Sequence, residues 1–301
     1  MERYNRLNNY LKNKFGERTL KICIDGGFSC PNRDGSKGVG GCTFCSEKGS
    51  GEHLHSFETI SMQVHDYFKS YKACRANKFI AYFQNFTNTY DSLKNLKNKY
   101  DSALIDDRIV ALAVATRPDC INENVVKLLK SYSGKYYVWV ELGLQTANEK
   151  TGQLINRCYS NDDFSKAVQL LNEYGIDVVT HVMVGLPGES FEDIKKTVVF
   201  LNKHDIQGLK IHSCYVVNGS SLALQYLKGD YVPITLDEYI NSACYILTHI
   251  SPNIVIHRIS GDAPKDLLLA PEWNSHKKWI MNGINKKLND ENLYQGMYYS
   301  K

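Results

Sequence analysis

No stretch of this sequence approaches the roughly 18 consecutive apolar residues that a membrane-spanning helix needs. The opening segment, MERYNRLNNYLKNKFGERTLK, is polar and lacks an apolar h-region, so it does not read as a secretory leader. An excess of one charge is also missing. Lys+Arg 36 against Asp+Glu 32 leaves +4, which permits an anionic partner without demanding one. There is no internal repeat and no low-complexity linker. The 9 cysteines in 301 residues are too sparse for a secreted disulfide scaffold. The expected compartment is the cytoplasm, where cysteines act as thiols, metal ligands or redox groups.

What is present is an ordinary globular chain, 43% hydrophobic and 23% charged, long enough to bury a sizeable core. Short apolar runs alternate with amphipathic stretches. TLKICIDGG, KFIAYFQNF, RIVALAVATRP, YYVWVELGL, IDVVTHVMVGLPG and GLKIHSCYVV read as six strands. Helical patterns lie between them: residues 58–75, a helix from about 91, NENVVKLLKSY, two pieces ending near 174, and ESFEDIKKTVVFLNKH. Such alternation implies parallel βαβ units, an α/β fold with a barrel or partial barrel. From about residue 229 the pattern changes to a helix (LDEYINSACYILTHI), a strand (NIVIHRI) and a basic helix. The expected organisation is an N-terminal helical segment (1–18), a barrel (19–228) and an α/β extension packed on it (229–301).

In parallel α/β barrels, function gathers at the C-terminal ends of the strands. One loop there stands out: FSCPNRDGSKGVGGCTFC, with Cys30, Cys42 and Cys45. It is too rich in Gly, Asn and Ser to pack itself, so something else must organise it. A redox pair, three unrelated thiols, a zinc site completed by His53 or His55, and an iron–sulfur cluster with one open iron all compete on spacing and placement. The same rim holds Gln84, Asn85, Thr116, Arg117, Glu141, Gln145, residues 185–189 and His212.

Longer stretches carry a resemblance. IDGGFSCPNRDGSKGVGGCTFC, ATRPDC, ELGLQTANEKT, GLPGES and HRISGDAPKDLLLAPEW resemble the bacterial radical S-adenosylmethionine (SAM) family of YtqA and YhcC, over about residues 19–273. The commonest cysteine pattern of that superfamily is C-x3-C-x2-C. Here the first gap is longer, similar to that of the Elongator catalytic-subunit branch, which acts on the tRNA wobble uridine. The resemblance implies a partial (β/α)6 barrel of the radical SAM type. It implies a 4Fe-4S cluster on Cys30, Cys42 and Cys45, with SAM on the open iron. It places Phe44 near the adenine, Glu141 and Gln145 at the ribose or amino group, Arg157 on the SAM carboxylate, and Gly185 and Gly188 in an adenine-contacting turn; Thr116, ending the third strand, is placed to bond the ribose or to cap the turn before Pro118.

No catalytic residue is assigned. His181, His212, Arg258 and Asp262 are the candidates on the substrate side. The resemblance further implies tRNA as substrate, with carboxymethylaminomethyl converted to aminomethyl at the wobble uridine. It also implies an electron donor such as flavodoxin or ferredoxin. HKKWIMNGINKK, with Trp273 and Trp279, offers cations and rings to RNA, or simply a solvated helix. The competing expectation is a zinc-stabilised barrel that binds RNA or a protein without redox chemistry.

Overall fold

The computed structural model describes residues 2–49, 51, 54 and 58–300. In chain order these form α1 (Leu7–Phe15), β1 (Thr19–Ile24), α2 (Ile60–Lys69), β2 (Lys78–Phe83), α3 (Leu93–Ala103), β3 (Ile109–Thr116), α4 (Glu123–Tyr132) and β4 (Tyr137–Gln145). Then come α5 (Glu149–Leu154), α6 (Asn161–Glu173), β5 (Asp177–Val184), α7 (Phe191–Asn202), β6 (Gly208–Ser213), β7 (Val216–Val217) and α8 (Ser221–Lys228). The last elements are α9 (Leu236–His249), β8 (Val255–Arg258), β9 (Leu268–Ala270) and α10 (Lys277–Asp290).

The main sheet runs β1-β2-β3-β4-β5-β6-β8, and every neighbouring pair is parallel. The six strands expected from periodicity are all there. The seventh comes from the segment expected as an extension: β8 hydrogen-bonds along β6, with Lys210 opposite Arg258. The end of the sixth apolar run leaves this sheet as β7 and pairs antiparallel with β9.

Alternation along the strands separates two faces. Ile22, Phe79, Leu112, Val140, Val178, Leu209 and Ile256 point out, under the helices, and belong to the large core. Ile80, Tyr82, Ala113, Trp139 and Val179 form the inner core, and α1 seals that end through Leu11, which is 1% exposed. Oxygen-bearing residues start the crossover helices. Asn122 and Ser92 accept amides at the N-termini of α4 and α3, and Ser160 with Asp163 forms a capping box on α6. Because all main strands run the same way, their C-terminal ends share one rim.

Candidate functional site

The cysteine loop leaves β1 at this rim. Two asparagines and the 155–158 segment hold it. Asn156 Nδ2 donates to the carbonyls of Val39 (3.2 Å) and Gly41 (2.8 Å). Asn32 Nδ2 donates to Asn156 O at 2.5 Å and lies 3.6 Å from Cys42 Sγ. The Thr43 amide donates to Ile155 O at 3.0 Å, and Leu222 N donates to Thr43 O at 2.8 Å. The Cys45 amide donates to Cys42 O at 2.9 Å, closing a tight turn between the last two cysteines. A loop without a hydrophobic rhythm is thus fixed by main-chain hydrogen bonds, as a polar loop must be.

The thiols act on one another. Burial first, then the Cys45 and Cys30 thiols, push Cys42 up to about 12, while the Arg117 guanidinium pulls the other way. Arg117 is itself fixed by a two-point pair with Asp119 (2.9 Å each) and by the carbonyls of Arg157 (3.1 Å) and Cys158 (3.3 Å). Anionic sulfur there therefore has a buried cation in reach. Among the described residues no three His, Cys, Asp or Glu side chains gather around a single metal ion. His53 and His55, the proposed fourth zinc ligands, lie outside the described residues.

Backbone strain concentrates at the same place. Phe86, Gln145, Asn156 and Cys158 take positive φ (61°, 65°, 53° and 58°). Phe86 follows β2 and Gln145 ends β4, both at the rim, and the other two belong to the clamp; Asn292, far along the chain, is the remaining non-glycine case among the described residues. Such strain persists where the surroundings over-determine it, typically at functional sites. Buried polar atoms also lack partners there among the described residues: Thr43 Oγ1, Asn32 Oδ1, Asn85 Oδ1 and Thr87 Oγ1. A site left open for a polar ligand has this character.

One layer down, the inner face is polar in a different way. Glu141 is 1% exposed, and five side chains donate to its carboxylate. Oε1 takes Lys21 Nζ (3.3 Å) and Trp139 Nε1 (3.1 Å). Oε2 takes Tyr82 OH (2.7 Å), His181 Nε2 (2.9 Å) and Lys210 Nζ. Burial alone would raise Glu141, but the Lys21 and Lys210 ammoniums with His181 hold it well below the usual carboxylate range. Burial lowers Lys210 to about 7 and His181 to about 4. His212 lies beside His181, ring centres 5.2 Å apart, and is held well below its ordinary value by burial and by His181, Arg258 and Lys210.

Two family models cover the chain: the radical SAM superfamily over residues 33–201 and a radical SAM C-terminal domain over 206–290. YtqA of Bacillus subtilis is 38% identical over 308 aligned positions, 100% of this chain and 94% of that protein. YhcC of Escherichia coli K12 is 35% identical over 94% of this chain and 91% of its own length. The chain belongs to the radical SAM superfamily. It is a radical SAM enzyme, and its cofactors are a 4Fe-4S cluster and SAM. The zinc-stabilised alternative falls with this membership.

A tRNA uridine(34) acetyltransferase of Methanocaldococcus infernus is 32% identical over 166 residues, 54% of this chain and 30% of that protein. The structure of Methanocaldococcus infernus Elp3 with an N-terminal deletion superposes with a TM-score of 0.69 at 19% identity, covering 92% of this chain and 64% of that one. That likeness shows the fold, a curled half-barrel of parallel strands.

For this radical SAM enzyme, two expected cofactor contacts need correction. Arg157 does not face a SAM carboxylate. It is 0% exposed and all five of its donors are used. They reach Leu144 O (2.8 Å), Thr146 O (2.7 Å), Tyr159 O (3.0 Å), Glu149 Oε2 (2.9 Å) and Asn161 Oδ1 (3.2 Å). Its planar fork folds the 144–161 connection that carries the clamp. Glu141 likewise spends both oxygens on the inner network and has none for a ribose. The Thr116 hydroxyl pairs with Thr89 Oγ1 at 2.6 Å.

Gln145 ends β4 at the rim, beside a register shift, with its strained φ. Gly185 and Gly188 take φ +87° and +72°, and a Cβ on Gly185 would press on Ile234 at 2.9 Å. The Phe44 ring packs partly buried against the cluster of Ile155, Leu186 and Leu222. Arg258 pairs with Asp262 at 3.1 Å, and Lys277 reaches the same carboxylate at 2.8 Å. Trp273 turns inward, donating to Ile234 O at 3.1 Å, whereas Trp279 is 53% exposed and stacks on His276. Periodicity did not mark the clamp residues Asn32, Asn156, Arg117 and Tyr159 as one unit. The usable signal was the polar run INRCYS, dense in side chains that bond to backbone.

Proposed function

We propose that Cys30, Cys42 and Cys45 hold the 4Fe-4S cluster and that the enzyme modifies the wobble uridine of tRNA. The donor set supports the first part: three thiols within electrostatic reach of one another, a buried guanidinium beside them, and unpaired polar atoms around them. Gln145, the Gly185–Gly188 turn and Phe44 border the space for SAM. When bound, the pair supplies one-electron cleavage of SAM to methionine and a 5′-deoxyadenosyl radical. The chain's own part is to clamp the loop and exclude water. Asn32 and Asn156 do the first, and the apolar cluster under Phe44 does the second.

The observation that carries the tRNA reading is the 32% identity to a tRNA uridine(34) acetyltransferase over 54% of this chain. The finer step is removal of the two-carbon unit from a carboxymethylaminomethyl group. The glycine-derived N–CH2 carbon of the substrate would lose one hydrogen atom to the deoxyadenosyl group and then one electron back to the cluster, leaving an imine. Water adds to the resulting imine, leaving the aminomethyl group and glyoxylate. SAM, reduced by two electrons to methionine and 5′-deoxyadenosine, balances that oxidation. The first electron enters from a donor such as flavodoxin or ferredoxin, in the cytoplasm. Mass spectrometry of tRNA nucleosides from cells with and without the gene tests the reading. Accumulated carboxymethylaminomethyluridine with lost aminomethyl products supports it, and identical nucleoside profiles sink it.

A further inference from the structure

The inner face of the half-barrel carries more positive charge than its own acids balance. Lys21 on β1, Lys210 on β6 and Arg258 on β8 converge there, Arg258 directly opposite Lys210 in register. One buried carboxylate, Glu141, stands among them and is shared by both lysines. Arg258 has an acidic partner in Asp262 at the rim, but Asp262 also serves Lys277. The acids at either end of the sheet are engaged in other ways. Asp25 accepts the Gly27 amide at 2.8 Å, and Asp177 accepts the Tyr137 hydroxyl at the opposite end.

The charge remains within reach. The side chains of Lys21 and Arg258 are 22% and 34% exposed, whereas Glu141 is fully covered. His212 sits beside them with a buried Nε2 that finds no partner among the described residues. Two cations that keep access to solvent, with the unsatisfied ring nitrogens of His212 and His257, therefore lie around a buried acid, Glu141, that is already saturated. Cations set among buried, low-dielectric side chains focus their field on an anion. Lys21, Lys210 and Arg258 stand against Glu141 and an Asp262 shared with Lys277, so this face of the strands keeps a net positive charge, and a single small anionic group fits it better than a nucleic-acid backbone.

We infer that the lumen beneath the rim binds a carboxylate group of the substrate, with Lys21 and Arg258 supplying the charge and His212 a hydrogen bond. This deepens the enzyme reading above by naming the group its substrate presents. It does not depend on that group belonging to a tRNA nucleoside. A carboxylate so held would place the carbon next to it at the level of the rim, where the cofactor reacts. Arg258 and Lys21 are then specificity-determining rather than catalytic.

The test uses the anaerobically reconstituted holoenzyme and three probes at matched ionic strength: acetate, acetamide and methyl phosphate. Calorimetric titration and melting temperature are the readouts. Acetate is expected to bind and raise the melting temperature, and acetamide to do neither. Arg258→Gln should weaken acetate binding roughly ten- to hundredfold, the range of a charge-assisted hydrogen bond, and Arg258→Lys should restore part of it. Lys21→Met should act the same way, but it disturbs the Glu141 network, so Arg258→Gln is the deciding variant because its side chain is partly exposed. Equal effects of acetate and acetamide overturn the inference, as does unaltered acetate binding in Arg258→Gln. Preference for methyl phosphate over acetate overturns it in favour of a phosphate subsite. If acetate binds as expected but tRNA nucleosides are unchanged in cells without the gene, the tRNA reading fails and the carboxylate site stands. If tRNA is modified and acetate does not bind, the reverse holds.

Discussion

At the rim, the cysteine loop is held by main-chain groups, two asparagines and the Lys37–Asp119 pair; one layer down, Glu141 is held by five donating side chains. The rim is made mostly of hydrogen bonds to main-chain groups, with one ionic anchor at Asp119, which Lys37 and Arg117 share, and some of its polar atoms stay unpaired. The floor is an ion network with every oxygen of Glu141 used. The difference follows from what each must do. A rim that accepts a cofactor has to leave bonding capacity unused. A floor that keeps two lysines inside a half-barrel has to give them an ionised, fully bonded acid, because an unpaired buried charge is far more costly than an unpaired amide. Loss of a rim group should therefore cost function with little stability, and loss of a floor group should cost stability first.

The largest expected effect is Cys42→Ala. Iron content and visible absorbance of the reconstituted protein should vanish, together with SAM cleavage, while the melting temperature of the apo-protein changes little. Cys244→Ala is the control: that residue, on the buried face of α9 toward α10, is 1% exposed, and its variant should reconstitute normally. A Cys42 variant that keeps its iron would remove the loop from the cofactor altogether.

Next comes Glu141→Gln. Taking one partner from a buried ion network costs about 3–5 kcal/mol. Lys210 is already lowered to about 7 by burial, so it can shed its proton when its partner is lost. The expected loss is then at the low end, about 3 kcal/mol in denaturant unfolding. A loss under about 1 kcal/mol, within the usual range of surface substitutions and exposed ion pairs, would mean that the floor is not held by charge.

Much of this was legible in the sequence, and the reasons differ by feature. The six strands showed because a parallel sheet covered by helices writes itself as β-branched runs between amphipathic ones. β8 was visible as a strand, but nothing in NIVIHRI says which edge it joins; that is set by α9 packing back on α7 and returning the chain beside β6. The cysteines showed through spacing and the composition of their loop. The side-chain assignments fared worse. Period two put Glu141 on the inner face, which is right, but a face does not name a partner. Lys21, Tyr82, His181 and Lys210 come from four other positions along the chain, and only the closed register brings them to one carboxylate. Arg157 failed for a related reason. Its acceptors are carbonyls of residues 144, 146 and 159, exposed to it by a turn that no side-chain pattern records.

A smaller effect separates the two layers by pH. Glu189 begins the turn into α7, and burial raises its carboxyl to about 7, against the Thr146 hydroxyl that bonds to it. The folded state therefore holds a proton that the unfolded chain, with a pKa near 4.5, gives up. Stability contributed by this group is complete below about 4.5 and is lost as pH rises through about 7. Glu189→Gln should remove that decline. The difference in stability between pH 5 and pH 8 should shrink by about 1 kcal/mol relative to the unaltered protein, after screening is allowed for. Parallel pH profiles for the two proteins would show that the carboxyl titrates normally.

The smallest global effect belongs to Asn156→Gly, and it tests the rim most directly. Asn156 sits at φ 53°, a conformation glycine adopts without strain, so the substitution removes the side chain and leaves the backbone at ease. What is lost is the pair of bonds from Nδ2 to Val39 O and Gly41 O, with the weak bond that Oδ1 accepts from the Cys158 thiol. What remains is the main-chain part of the clamp, since Asn32 still reaches Asn156 O and the Thr43 amide still reaches Ile155 O. Two net hydrogen bonds, offset by relieved strain, put the change in unfolding free energy within about 1 kcal/mol. Loop opening, however, is a local event with its own smaller free energy, and those two bonds are a large part of it. Iron should then leave to a chelator several times faster, with the melting temperature nearly unchanged. If iron release speeds up only in step with a lowered melting temperature, the loop opens only when the whole barrel does, and rim and floor are a single cooperative unit.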